Sequence, residues 1–294
     1  MRMILRLLRV RQWVKNLLVF APLFFALKFT SIEEWQRSAL AFLAFCFTAS
    51  AIYIFNDIRD IEDDRQHPVK KHRPIAAGKI SPTSASLIAI VLITISLIVG
   101  YLLNAATFAV LVGYAVVMIF YSIWWKHIQL LDVFIIAGGI TSRAILGADA
   151  IEVEISHWLL VCTFLIALML ALTKRRQELA RFVENHEHTR KSLKNAPPLT
   201  AWDHWIAAIA GITILAYILY TVDEATVENI GSIKLLYTVP IVAFAIFRYQ
   251  LIVYTKQQGE DPTETLLSDK AILLSIALWF VSVLAILMSK GASL

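Results

Sequence analysis

Apolar residues fill this chain in long runs, and polar residues gather in short clusters between them. A helix needs about 17 to 25 mainly apolar residues to cross a hydrocarbon core. Nine segments come within reach of that length: 14–29, 38–55, 83–103, 105–125, 130–146, 157–172, 205–222, 235–254 and 271–288. The first is short and carries Pro22, which predicts a kink or a tilt. The fifth carries Gly138, Gly139 and Arg143, with Gly147 just beyond it, and small residues of that kind let helix backbones approach closely. Trp13, Trp35, Trp124, Trp125, Trp158, Trp202 and Trp205 fall near predicted span ends, where interfacial tryptophans sit. The pattern predicts an all-α polytopic membrane protein forming one domain over residues 1–294.

Charge orders these segments. Lys and Arg crowd the start of the chain (Arg2, Arg6, Arg9, Arg11), the second connection (Arg59, Arg65, Lys70, Lys71, Arg73, Lys79) and the sixth (Lys174, Arg175, Arg176, Arg181, Arg190, Lys191, Lys194). The alternate connections are acidic, with Glu33, Glu34, Asp149, Glu152, Glu154, Asp223, Glu224 and Glu228. Cytoplasmic loops carry the positive excess, so the N-terminus is expected in the cytoplasm. Nine spans keep the alternation and place the C-terminus outside. The basic start followed by apolar residues is read as an uncleaved first span, since many spans follow.

Composition agrees. Apolar residues make up 59% and charged residues 17%, against roughly 25% charged in soluble domains. The net charge of +5 lies beside the spans, which disfavours nucleic-acid binding. Cys46 and Cys162 sit inside apolar runs and read as small hydrophobes.

Candidate chemistry follows the second span, which runs into Asn56-Asp57-Ile-Arg-Asp60-Ile-Glu-Asp-Asp64-Arg-Gln-His67-Pro68. On a continuing helix Asp57, Asp60 and Asp64 lie within about 60° of one another, with Asn56 one turn before Asp60. Three carboxylates on one stripe repel unless a cation lies among them, and hard oxygen donors suit Mg²⁺, or Mn²⁺ in its place. The plain alternative is a solvated acidic helix end paired with Arg59 and Arg65. Glu62 and Asp63 point away from the stripe. Lys70, Lys71, His72 and Arg73 follow at once, and acids before cations suit a metal-bridged polyphosphate. Topology and anionic lipid would also explain the basic loop.

These residues resemble the UbiA superfamily of intramembrane prenyltransferases, whose members carry N-D-x-x-D-x-x-x-D after the second span. The resemblance narrows to the branch that transfers phosphoribose to a polyprenyl phosphate of the decaprenyl type. Arg11-Gln12-Trp13-Val14-Lys15-Asn16 looks like that branch's opening motif. Tyr121-Ser122, Lys126 and Leu131-Asp132 look like its turn between spans four and five. Lys174-Arg175-Arg176-Gln177-Glu178-Leu179 and Gly259-Glu260-Asp261-Pro262 look like its later loops. Typical prenyltransferases carry a second aspartate-rich motif after span six; here Lys174-Arg175-Arg176 stands in that place.

The resemblance implies nine helices around a cytoplasm-facing cavity in a bacterial inner membrane. It implies Mg²⁺-dependent transfer from phosphoribosyl diphosphate to a polyprenyl phosphate, as a step in cell-envelope polysaccharide synthesis. Asp57, Asp60 and Asp64 are the expected metal ligands and catalytic residues. Substrate contacts are expected from Lys15, Asn56, His67, Lys70, Arg73, Tyr121, Lys126, Asp132, Lys174 and Arg175. Plainer roles stay open for several of these. Lys15 and Lys126 could snorkel, His67 could cap a loop, and Asp132 could pair with Lys126 or Arg143. Membrane lipids are expected neighbours, and a homo-oligomer is compatible with the sequence. The alternative enzyme moves an isoprenoid from a prenyl diphosphate to an aromatic acceptor. A transporter is the alternative of another class, disfavoured because the charges cluster at one face.

Overall fold

The computed structural model describes residues 2–67, 69–185, 196–256 and 262–291. It is helical throughout its regular elements and divides into two compact units. One holds residues 1–135 and 139–155, the other residues 136–138 and 156–294. Eight described helices are long and apolar enough to cross a membrane: Ile32–Arg59, Pro82–Leu103, Ala105–Ile123, Leu131–Ala150, His157–Val183, Leu199–Val222, Ile233–Thr255 and Lys270–Ser289.

The first unit opens with α1 (Arg2–Leu7), a 3₁₀ segment (Val10–Phe20) and α2 (Ala21–Phe25). The first of the nine expected spans is therefore not a free-standing apolar α-helix. Arg9 enters the 3₁₀ segment in the left-handed region, at φ 51° and ψ 45°, and Pro22 opens the short α2. The next helix, α3 (Ile32–Arg59), runs antiparallel to this stretch. Trp13 Nε1 donates to Ser50 Oγ at 3.1 Å, and Asn16 Nδ2 donates to Cys46 Sγ at 3.1 Å. Farther along, the Phe20 and Phe42 rings lie 5.5 Å apart and the Phe24 and Trp35 rings 5.7 Å apart. A 3₁₀ helix rises about 2.0 Å per residue, so the 11-residue segment advances roughly 22 Å. It lines α3 over much of its length while being too short in residues to register as a span by itself.

Beyond α3 lie α4 (Ile61–Gln66), a 3₁₀ turn (Lys70–His72), α5 (Pro82–Leu103), α6 (Ala105–Ile123), a second 3₁₀ turn (Trp125–His127) and α7 (Leu131–Ala150). Capping explains several starts. The Ser31 hydroxyl accepts from Glu34 N, Ser81 from Ser84 N with Pro82 following, and Asn104 Oδ1 from Thr107 N; each removes an orphan N–H of a first turn. Inside the apolar region α3 and α5 share a polar rung: Thr48 Oγ1 and Ser96 Oγ lie 2.6 Å apart, and Ser96 Oγ donates to Ala44 O at 2.6 Å. The last carbonyls of α7 are also served, Ala150 O by Arg37 Nε at 2.7 Å and Asp149 O by Asn104 Nδ2 at 2.7 Å. The core of this unit gathers Val19, Phe45, Ile52, Leu111, Tyr114 and Leu146.

The second unit carries α8 (His157–Asn185), α9 (Leu199–Val222), α10 (Glu224–Ile230), a 3₁₀ turn (Ile233–Thr238), α11 (Val239–Lys256), α12 (Pro262–Ser268) and α13 (Lys270–Gly291). The helix α8 runs well past the predicted end of its span, so the Lys174-Arg175-Arg176 stretch is helical. Several buried polar groups again find partners. Tyr217 Oη lies 2.6 Å from Thr238 Oγ1 and accepts from Trp279 Nε1 at 2.7 Å, and Gln177 Nε2 donates to Val253 O at 3.0 Å. Arg190, Lys191, Lys194 and Gly259-Glu260-Asp261 lie outside the described residues.

Candidate active site

The acidic motif does not form one continuous stripe. The helix α3 ends at Arg59, Asp60 is its C-cap at φ −95° and ψ 16°, and α4 restarts at Ile61. Backbone bonds still bridge the break, from Asp60 N to Asn56 O at 2.9 Å and from Asp64 N to Asp60 O at 2.8 Å. The carboxylates divide into a pair and a single residue. Arg73 Nη1 donates to Asp57 Oδ1 at 3.0 Å and to Asp64 Oδ2 at 2.6 Å. Arg9 Nη2 also donates to Asp57 Oδ1. Asp60 Oδ1 instead accepts from Lys126 Nζ at 2.7 Å. Three carboxylates are thus met by three cations, which removes the repulsion that the bare spacing would create.

The layering of this cluster is definite. The Asp57 and Asp64 side chains are 2% and 4% exposed, whereas those of Arg9 and Arg73 are 24% and 27% exposed. The acids form the floor and the guanidinium groups lie over it. Burial pushes the Asp64 carboxyl above its ordinary value, against the pull of Arg73. Arg9 also rests over the Tyr53 ring, 4.8 Å from its centroid. Arg73 reaches the floor from a tight turn in which Ala77 N donates to Arg73 O and Gly78 N to Ile75 O. Gly78 there has φ +68°, a conformation that glycine adopts without a Cβ penalty.

The other expected residues are distributed as follows. His67 Nδ1 accepts from Val69 N at 3.2 Å and Lys70 N at 3.3 Å, so His67 caps the loop that leads to Arg73. Tyr121 is buried near the end of α6 and Asp132 is buried in the first turn of α7. The partners offered for Asp132 are engaged elsewhere: Lys126 with Asp60, and Arg143 with Asn16 Oδ1 at 2.7 Å and the Gly139 carbonyl. Lys15 lies half-buried in the 3₁₀ segment. In the second unit Arg175 is buried, donating to Glu178 Oε1 and Oε2 at 2.8 and 2.7 Å, with Lys174 beside it in α8. Arg176 pairs with Asp203 at 2.9 Å.

Arg9 was missed by sequence reasoning, which counted it as a topological charge. Its approach to Asp57 depends on a left-handed residue ahead of a 3₁₀ segment, and neither is visible in hydrophobic periodicity. Its place two residues before the Arg11-Gln12-Trp13 motif was the available hint.

Among the described residues no group of three His, Cys, Asp or Glu side chains could hold a metal ion. In place of the expected three-aspartate set, Asp57 and Asp64 are engaged by Arg9 and Arg73, and Asp60 by Lys126. A smaller donor set remains. One positive atom, Arg73 Nη1, bridges Asp57 and Asp64, so their oxygens can share a cation. Asn56 Oδ1, next to Asp57 in sequence and one turn before Asp60, is buried without a hydrogen-bond partner. Two carboxylates fit Mg²⁺, which ordinarily takes one or two carboxylates and completes its shell with water and substrate phosphate.

Comparisons with known proteins place the chain in a family. The UbiA prenyltransferase family model matches residues 17–276. A decaprenyl-phosphate phosphoribosyltransferase of Corynebacterium glutamicum is 35% identical over 292 residues, covering 96% of this chain and 86% of that protein. One from Mycolicibacterium smegmatis is 30% identical over 286 residues, covering 94% and 89%. A solved UbiA homolog from Archaeoglobus fulgidus, bound to GPP and Mg²⁺, superposes with a TM-score of 0.71 at 19% identity, covering 97% of this chain and 99% of that one. Helical architecture, acidic motif and full-length similarity converge: the chain belongs to the UbiA prenyltransferase family and is a membrane-embedded transferase.

Proposed function

We propose that this protein transfers phosphoribose from phosphoribosyl diphosphate to a polyprenyl phosphate of the decaprenyl type, releasing diphosphate. The observation that carries the reading is similarity over nearly the whole chain to two proteins of that name. The site's charge pattern supports it, because buried acids under partly exposed cations suit a substrate whose diphosphate is held by metal and by Arg and Lys together. Lys174-Arg175-Arg176 stands where a typical prenyltransferase would carry a second acidic motif, which disfavours a prenyl diphosphate held there by further metal.

In this reading the bond from ribose C1 to the diphosphate oxygen breaks, and its electron pair stays on the leaving diphosphate. An acceptor phosphate oxygen forms the new bond to C1. That oxygen is already anionic, so no side chain needs to remove a proton. Asp57 and Asp64 would hold Mg²⁺, which would supply positive charge to the leaving diphosphate. Arg73, Arg9 and Lys126 hold the remaining phosphate oxygens, through contacts that strengthen as negative charge accumulates. Lys15, Lys70, Tyr121 and Asp132 are proposed to line the same substrate path. The site faces the cytoplasm of a bacterial inner membrane, a reading supported by the alternation of basic and acidic connections, and the product feeds assembly of an envelope polysaccharide.

The test supplies purified protein with Mg²⁺, polyprenyl phosphate and labelled phosphoribosyl diphosphate. A labelled lipid with release of diphosphate is expected. No labelled lipid, together with transfer from a prenyl diphosphate to an aromatic acid, would establish the alternative reaction.

A further inference from the structure

Arg73 reaches both Asp57 and Asp64. Arg73 alone leaves one charge of the Asp57–Asp64 pair unmatched, and Arg9 supplies the second cation. Arg9 adds a second guanidinium to the same Asp57 oxygen, and does so from a left-handed backbone that disfavours any residue bearing a Cβ. Both guanidinium groups lie on the accessible side of carboxylates that are themselves buried. The Tyr53 face gives the Arg9 head a second resting contact.

We propose that Arg9 and Arg73 are displaceable occupants of the Asp57–Asp64 pair, so that divalent metal and diphosphate bind as one coupled event. A dication entering alone must compete with two fixed positive heads for the same oxygens, and it meets their repulsion at close range. A diphosphate entering alone offers those planar heads a bidentate partner, but drawing them away leaves two buried carboxylates uncompensated. When both arrive, metal takes the acids and the guanidinium forks take the phosphate oxygens. Each ligand then raises the affinity of the other by the same factor. The proposal rests on the functional reading above only in requiring a diphosphate group at this site.

The test is equilibrium dialysis of Mn²⁺ against the full chain in nanodiscs, with and without inorganic diphosphate on both sides of the membrane. Wild-type protein should bind Mn²⁺ weakly alone and on the order of tenfold more tightly with diphosphate. Arg9→Gln should tighten Mn²⁺ binding in the absence of diphosphate, by roughly tenfold, and shrink the diphosphate effect. Unchanged or weaker Mn²⁺ binding by Arg9→Gln would overturn the coupling. Should that variant elute as an aggregate, Arg73→Gln carries the same expectation and the same refutation. Asp57→Asn should lose Mn²⁺ binding in both conditions. If it does not, the metal site itself is misplaced, whatever Arg9 does. Because the probe is inorganic diphosphate, failure of phosphoribosyl transfer would leave these results intact.

Discussion

Gly147 of α7 presses against the Val19 carbonyl of the 3₁₀ segment so closely that a Cβ at position 147 would overlap the oxygen and crowd Val19 Cα at 3.1 Å. Both partners are backbone, so neither can swing aside. Gly147→Ala should therefore force the segment and the helix apart, at a cost of about 1–3 kcal/mol or more. A lower melting temperature in detergent, compared with Gly113→Ala where nothing lies near the added methyl, checks this.

Arg143 is 4% exposed within the apolar region, with its guanidinium 4.6 Å from the Phe45 centroid and 5.7 Å from that of Tyr114. Its Nε serves Asn16. A lysine offers neither the planar head nor the fork. Arg143→Lys should lose about 1–3 kcal/mol of stability, read as a drop in melting temperature larger than that of Arg181→Lys.

The acidic residues should separate in their effects. Asp57→Asn and Asp64→Asn should each lower transfer activity by about 10²-fold or more, since they form the buried pair proposed to hold metal. Asp60→Asn should retain more metal binding, because Asp60 faces Lys126 rather than Arg73. Equal loss of Mn²⁺ binding in all three variants would restore the three-ligand arrangement.

A pH-dependent prediction lies in the second unit. Arg248 and the first backbone N–H groups of α13 hold the Asp269 carboxyl at about 2, below the ordinary 3.8. A depressed carboxyl stabilises the fold above its unfolded value and loses that contribution as pH falls from about 4 towards 2. Asp269→Ala should cost about 1 kcal/mol near neutral pH through the lost cap, and the gap to wild type should narrow as pH drops through that window. Asp269→Asn, which still caps, should cost less. Melting curves of the three proteins between pH 7 and pH 2.5 provide the measurement.

The apolar runs and the loop charges were legible because span length and a 3.6-residue period write themselves into local sequence. The opening passage was not, since a 3₁₀ segment has three residues per turn and hides Asn16 and Arg143 as partners 127 positions apart. The acidic motif was legible as a set of residues but not as an arrangement. Nothing near Asp60 announces a C-cap, and its pairing with Lys126 joins positions 66 apart. Arg73 was identified because it stands in a basic cluster beside the acids; Arg9 was overlooked because an arginine at a chain start has an ordinary topological explanation.

The 3₁₀ segment also works as a phase gauge. It is clamped to α7 at Val19, to Arg143 at Asn16 and to Ser50 at Trp13, and its upstream end carries Arg9. Each residue of such a helix turns the chain by about 120° and advances it about 2 Å. One residue inserted between Arg9 and Trp13 would leave every downstream clamp engaged and rotate the arginine a third of a turn away from Asp57. The spacing of those few positions, more than their individual chemistry, keeps the first cation in time with the acid floor.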